Sequence, residues 1–294
     1  MTDFLPRLVG ARSLARMENL PNRAQSESLY LRWFLDDVFH AIAYGPALEA
    51  SWVSSQGSQE DEERMIAEGL SSDLHATDLE SEIQEFLART ACKLIEVGRA
   101  DYEVVFKPES EDQGRRFLLM PLSKRGLIRT NWGFLQRIPE VVREKVGGRH
   151  WRWAPRRAVV SFRMDGSAGI AAARTRRALS RLQLFPRNGA DESIDVARAS
   201  RHVGWRARGM FDQEVSEFYQ IWRELDFARW TARVREALLM QLGAALGHIA
   251  NEQAFRGRLE ARWPMTAAML DDTVSEFLAG RLGPKKALET IRRG

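Results

Sequence analysis

Between Asp212 and Phe255 the residues Val215, Phe218, Trp222, Leu225, Trp230, Val234, Leu238, Leu242, Leu246 and Ile249 recur every three or four positions. At about 3.6 residues per turn this makes an apolar stripe of roughly ten turns. A stripe of that extent cannot stay in water, so the segment predicts one long helix around which other helices must pack. Trp222 and Leu238 are expected in its buried face. The chain has material to cover it, with 44% apolar residues, nine Trp and fourteen Phe in 294 residues. That length suits one large domain or two ordinary ones.

Other helices are punctuated by familiar signals. Over Ser26–Ala43, Leu29, Trp33, Leu35, Val38, Phe39 and Ile42 form a stripe that ends at Gly45-Pro46. Ser51–Ser58 loses periodicity and leads into the acidic run Glu60–Glu63, which reads as a mobile linker or a helix N-terminus. Asp78–Val97 places Leu79, Ile83, Phe86, Leu87, Thr90, Leu94 and Val97 on one face, with Gly98 as its stop. Gly169–Leu184 is again helical, Pro186–Asp191 is irregular, and Gly243 to Gly247 suits close helix approach. Near the end, Thr266 is placed to cap Ala267–Ala279, Gly280 follows it, and Pro284 opens a last helix ending in Arg292-Arg293.

The period changes at Ala100. Residues 101–106 and 116–120 are rich in β-branched and aromatic residues and flank the turn-prone Pro108–Gly114, which predicts a hairpin. Further strands are expected at Leu127–Thr130, Phe134–Ile138 and Val159–Met164, with a short helix after Pro139 that stops at Gly147-Gly148. The fold class is therefore α+β, helix-dominated, with a small mixed or antiparallel β region in the middle of the chain. Three segments follow: an N-terminal helical segment (1–58), an acidic helix plus β-rich region (59–165), and a C-terminal helical domain (166–294).

Charge is unevenly spread. Residues 115–177 carry sixteen Lys/Arg against three acids, whereas residues 59–112 carry sixteen acids against five Lys/Arg. The formal net charge of +4 hides two fields of opposite sign, which speak to partners more than to fold. Arg149-His150-Trp151-Arg152-Trp153 alternates, so in an extended strand the two Trp share one face and His150 and Arg152 the other. Aromatic platforms beside cations suit single-stranded nucleic acid, and arginines alone suit duplex phosphates. Candidate nucleic-acid contacts are Arg149, Trp151, Arg152, Trp153, Arg156 and Arg157. The acidic helix could instead neutralise these arginines, within one copy or between copies.

Catalytic signatures are sparse. The histidines at 40, 75, 150, 202 and 248 form no HExxH or Cys/His cluster, and Asp36 with His40 supplies only two ligands on one helix face, so no metal site is expected. Asp271-Asp272 sits early in a helix, where carboxylates complement the dipole. Neither a P-loop nor GxGxxG occurs, no GxSxG elbow is present, and Cys92 falls on an apolar helix face. Asp101 and Glu103 lie on one strand face without a matching lysine and read as charge on an exposed edge. No catalytic residue and no cofactor is assigned. A lone Cys92 fits a reducing compartment, Met1–Gly10 lacks a secretory pattern, and no stretch reaches eighteen uncharged apolar residues. The expected location is cytoplasmic or virion-associated, with no membrane partner.

Two stretches, FLARTACKLIEVGRADYEVVF at 86–106 and RRFLLMPLSKRGLIR at 115–129, resemble the wing region of tailed-phage portal proteins, with a helix, a glycine, a hairpin and a proline-containing passage into short strands. LAGRLGPKKALETI at 278–291 is similar to helix-turn-helix endings of some of those proteins. The resemblance implies a ring-forming subunit of a DNA-packaging vertex, with basic residues toward a DNA channel and no chemistry of its own. The expected function is a nucleic-acid-contacting or assembly subunit, portal-like and phage-related, with nucleic acid and further copies or other protein subunits as partners. The alternatives are a protein-interaction subunit of a host-defence complex and an enzyme whose site is dispersed in sequence.

Overall fold

The computed structural model describes residues 28–45, 51–57, 60–71, 78–107, 116–122, 127–138, 150–164, 166–182, 189–207, 216–253, 258–261 and 266–293. Among them the helices are α1 (Leu29–Ala43), α2 (Glu60–Leu70), α3 (Leu79–Val97), α4 (Gly166–Leu179), α5 (Gly189–Ser200), α6 (Glu217–Gln253), α7 (Ala267–Leu278) and α8 (Pro284–Arg293). The strands are β1 (Val53–Gln56), β2 (Ala100–Lys107), β3 (Arg116–Pro121), β4 (Leu127–Arg129), β5 (Gly133–Arg137), β6 (Trp151–Pro155), β7 (Val159–Phe162) and β8 (Arg258–Ala261). The protein is a helix-dominated α+β fold. Two units divide the chain, a smaller β unit from Asp101–Phe106 and Leu118–Ser161, and a helical unit from Glu27–Ala100, Lys107–Phe117 and Phe162–Gly294. Residues 59–100 thus group with the helices that follow residue 162, a different division from the three sequential segments.

In the helical unit α6 runs for 37 residues and packs against α1, α3, α7 and α8. Leu225, Val234, Leu238, Leu242, Leu246 and Ile249 are buried along it. Trp222 is only half-buried, because it lies at the rim of the cluster formed by Ile221, Leu225, Val274, Phe277 and Ala287. Phe218 is exposed on one side and stacks on Phe277 at 4.6 Å. The expected stripe on α1 also shifts. Phe34 is fully buried while Trp33 stands outside, since α1 is covered by both α3 and α6 and buries a wider arc than a single stripe.

Helix α3 keeps its predicted limits. Asp78 accepts the backbone N–H groups of Glu80 and Ser81, and Gly98 closes the other end with its N–H on Leu94 O. Cys92 borders this core with its Sγ 3.4 Å from Leu35 O, and burial, helped by Glu96 and Asp36, pushes the thiol up to about 12. A thiol so raised stays protonated near neutral pH and offers little of the nucleophilic thiolate. Helix α7 begins at Thr266 as expected, but the Thr266 side chain makes no capping bond. Glu236 of α6 accepts the Ala267 N–H at 2.6 Å instead. Asp271 is held by Arg233 at 2.7 Å, so an ion pair and not the helix dipole alone fixes it.

Three corrections come from long-range partners. Part of the expected linker, Val53–Gln56, is a strand, pairing antiparallel with β8 from Val53↔Ala261 to Gln56↔Arg258. Helix α5, unmarked in the sequence reading, ends in a turn whose Trp205 is buried against Phe34 and bonded through its indole N–H to Asp37 at 2.9 Å. Gly204 in that turn has φ +73, and a β-carbon there would press on the backbone of Arg223 and Phe227. Gly243 and Gly247 do not make close helix packing. Space around them is open, and with Leu239, Met240, Arg258 and Leu259 they line a groove of about 450 Å³. No helix among the described residues is long and apolar enough to cross a membrane.

Candidate nucleic-acid interface

The β unit consists of two three-stranded sheets, β3-β2-β7 and β4-β5-β6. The predicted hairpin is β2–β3, and Leu122 N–H on Asp101 O shows the end of β3 beside the start of β2. The strands expected near 127, 134 and 159 are present as β4, β5 and β7, while the turn at 108–114 and the helix after Pro139 fall outside the described residues. In the second sheet β5 pairs antiparallel with β4 and β6, with Phe134↔Ala154, Leu135↔Trp153, Gln136↔Arg152 and Arg137↔Trp151.

Because side chains alternate across a strand, this register assigns the faces. Phe134, Ala154 and Arg152 share one face with Leu127 and Arg129. There Leu122, Phe134 and Ala154 form a small core with Leu127 and Val159. On the same side Arg129 pairs with Asp101, and Arg152 pairs with Glu103 at 3.0 Å. Ser161 donates to the other Asp101 oxygen at 2.7 Å. Asp101 and Glu103 are therefore buried between the sheets, at 3% and 7% exposure, and are not the exposed edge charge expected from sequence. Burial raises the Glu103 carboxyl above its ordinary value, with Arg152 pulling the other way. Part of the basic block is thus neutralised by the acidic segment inside one copy.

The opposite face carries Ile128, Leu135, Arg137, Trp151 and Trp153. Trp151 is half-buried and Trp153 is 36% exposed. The Trp153 ring lies across Gly133, where a β-carbon would fall 2.7 Å from it and collide with Ala154 O. Trp151 and Trp153 thus share a face as predicted, while Arg152 points the other way into its ion pair. Arg156 and Arg157 follow β6 on a short 3-10 turn, exposed and without an ion pair among the described residues. Arg149 lies outside the described residues.

One residue at this end of the sheet was missed by sequence reasoning. Trp132, in the β4–β5 turn, is 77% exposed, more than any other large apolar side chain described. Its N–H donates to Thr130 Oγ1 at 3.3 Å, and its carbonyl accepts the N–H of Arg156 at 3.0 Å. Thr130 also binds Gly133 through N–H and Oγ1, closing the turn. In sequence Asn131-Trp132-Gly133 is only the gap between two expected strands, and its link to Arg156 depends on the β5–β6 pairing.

No family model, curated protein or solved structure matches this chain. Among the described residues no three His, Cys, Asp or Glu side chains come together as a metal site. The arrangement at the sheet end links the exposed Trp132, through its carbonyl, to the backbone of the first of two exposed arginines that have no ion pair among the described residues. It suits an anionic ligand with aromatic parts.

Proposed function

We propose that the protein is an assembly subunit that contacts nucleic acid through the β4–β5 turn and the residues after β6. The observation that carries this reading is the contrast among the arginines. Arg129 and Arg152 are engaged by Asp101 and Glu103, whereas Arg156 and Arg157 stand exposed, the first of them hydrogen-bonded through its backbone N–H to the Trp132 carbonyl. Guanidinium groups without an acid partner among the described residues are suited to bidentate phosphate contact. A portal-like, ring-forming role in a phage-related particle is the wider setting of this reading. Its support is the residue likeness at 86–129 together with the order of helix α3, Gly98 and hairpin β2–β3.

Binding of a labelled DNA duplex and of the matching single strand, measured by anisotropy across a salt series, tests the reading. Each phosphate contact contributes roughly 0.7–0.9 to the slope of log affinity against log salt. Replacing both Arg156 and Arg157 with Ala should lower that slope by about 1.5 and weaken every nucleic acid that binds. An unchanged slope and affinity in the folded double variant would remove these residues from the interface.

A further inference from the structure

We infer that this surface takes single-stranded nucleic acid, with one unpaired base stacked on the Trp132 indole and neighbouring phosphates held by Arg156 and Arg157. This rests on the nucleic-acid reading above and names the form of the ligand. The first support is the way Trp132 is presented. An isolated exposed apolar side chain is unremarkable on a protein surface, but here both backbone polar groups of the residue are fixed, one by Thr130 and one by Arg156. Only two side-chain torsions remain to be ordered when a ligand arrives, so a flat apolar surface is offered at low entropic cost.

Charge supplies the second support. The Trp132 carbonyl is hydrogen-bonded to the first of two consecutive arginines, so an indole face and two cations originate within one short turn of each other. A ligand satisfying both must carry a flat π-surface and adjacent negative charges, which is the repeating unit of a nucleic-acid strand. In a duplex the base faces are occupied by their stacked neighbours, and only the phosphates would be served. A single strand engages the whole set. The next residue, Gly133, has the Trp153 ring and the Ala154 carbonyl against it, leaving no room there for a side chain. This geometry moves the stacking role from the less exposed Trp151 and Trp153 of β6 to Trp132.

The test compares wild-type protein, Trp132→Ala, Trp132→Phe and the Arg156→Ala/Arg157→Ala double variant. The probes are a mixed-sequence 20-nucleotide DNA strand, its duplex, the corresponding RNA strand and an abasic DNA strand of equal charge. Stacking contributes about 1–3 kcal/mol per base, so Trp132→Ala should weaken the base-bearing strands roughly 5- to 150-fold. Duplex and abasic binding should hardly change, the salt slope should stay the same, and Trp132→Phe should keep most of the affinity. Equal loss on DNA and RNA strands is expected, because an indole face does not sense the sugar. Since Trp132 is exposed, its variants should melt like wild type. If Trp132→Ala binds base-bearing strands as well as wild type while the arginine variant still loses slope, the stacking inference fails and the nucleic-acid reading stands. If wild type binds none of the probes at low salt, both fail.

Discussion

Arg223 offers the sharpest test of how the helical unit is held together. It is 3% exposed, and its guanidinium donates to the carbonyls of Ala197 at 3.0 Å, Gly204 at 3.2 Å and Trp205, to Ser200 Oγ at 2.8 Å and to Tyr219 Oη at 3.3 Å. In effect one side chain of α6 replaces water for the end of α5 and the turn after it. Arg223→Met keeps most of the stem volume and removes every donor. Trp205 O retains Ser200 Oγ, which donates at 2.7 Å, whereas the Ala197 and Gly204 carbonyls lose the guanidinium. A buried acceptor deprived of its donor costs about 1–3 kcal/mol; with the Gly204 carbonyl buried and the Ala197 carbonyl part-buried, the two give about 2–5. Relief from burying a cation offsets part of this, placing the expected loss near 3 kcal/mol. Urea unfolding followed by tryptophan fluorescence and by circular dichroism measures it. Arg223→Lys should lose nearly as much, because an ammonium cannot fork to carbonyls spread this widely. A loss below about 0.5 kcal/mol for Arg223→Met, the range of ordinary surface changes, would show that the carbonyls need no guanidinium.

Leu238→Ala should cost about 2–5 kcal/mol, as for a fully buried leucine, and half-buried Trp222→Ala distinctly less than a core Trp; chemical denaturation of the two single variants ranks them, and the reverse order would misplace the core face of α6. The raised Glu103 carboxyl means the folded β unit holds its proton more firmly than the unfolded chain does. Its contribution to stability is then fullest below the ordinary carboxyl value and falls as pH rises through the higher folded one. Glu103→Gln should flatten that part of the stability-against-pH curve, and an unchanged curve would show that another group sets it.

Local signals carried the fold wherever the sequence itself closed an element. The limits of α3 were legible because its cap, Asp78, and its stop, Gly98, are adjacent to it, and the β2–β3 hairpin because the composition changes on both sides of its turn. Elements fixed from afar were not. Helix α5 has few apolar residues, and its end is secured by Arg223, 23 positions beyond Ser200. The acids of β2 looked exposed because their partners, Arg129 and Arg152, belong to strands of the other sheet. At the candidate interface the alternation in β6 gave the right faces for Trp151 and Trp153. It could not reveal that Glu103 engages Arg152, nor that a turn residue in the preceding hairpin would be the most exposed indole among the described residues.

The pairing of β1 with β8 has a consequence for how the chain acquires its fold. Val53 meets Ala261 and Gln56 meets Arg258, so the ribbon joins residues about 200 positions apart, and Gln56 also bonds Glu260 at 3.0 Å. Helices α1 and α3, which pack together, are complete by residue 97 and can associate early. During synthesis, β1 must wait for about 200 further residues. Until β8 emerges, its backbone donors and acceptors form an unpaired edge open to any passing strand. Its short length and the serines and glutamine of Val-Ser-Ser-Gln limit that hazard. The late closure of so distant a loop places the ribbon among the last contacts to form. A chain stalled before residue 258 would carry the first helices folded and this strand still waiting.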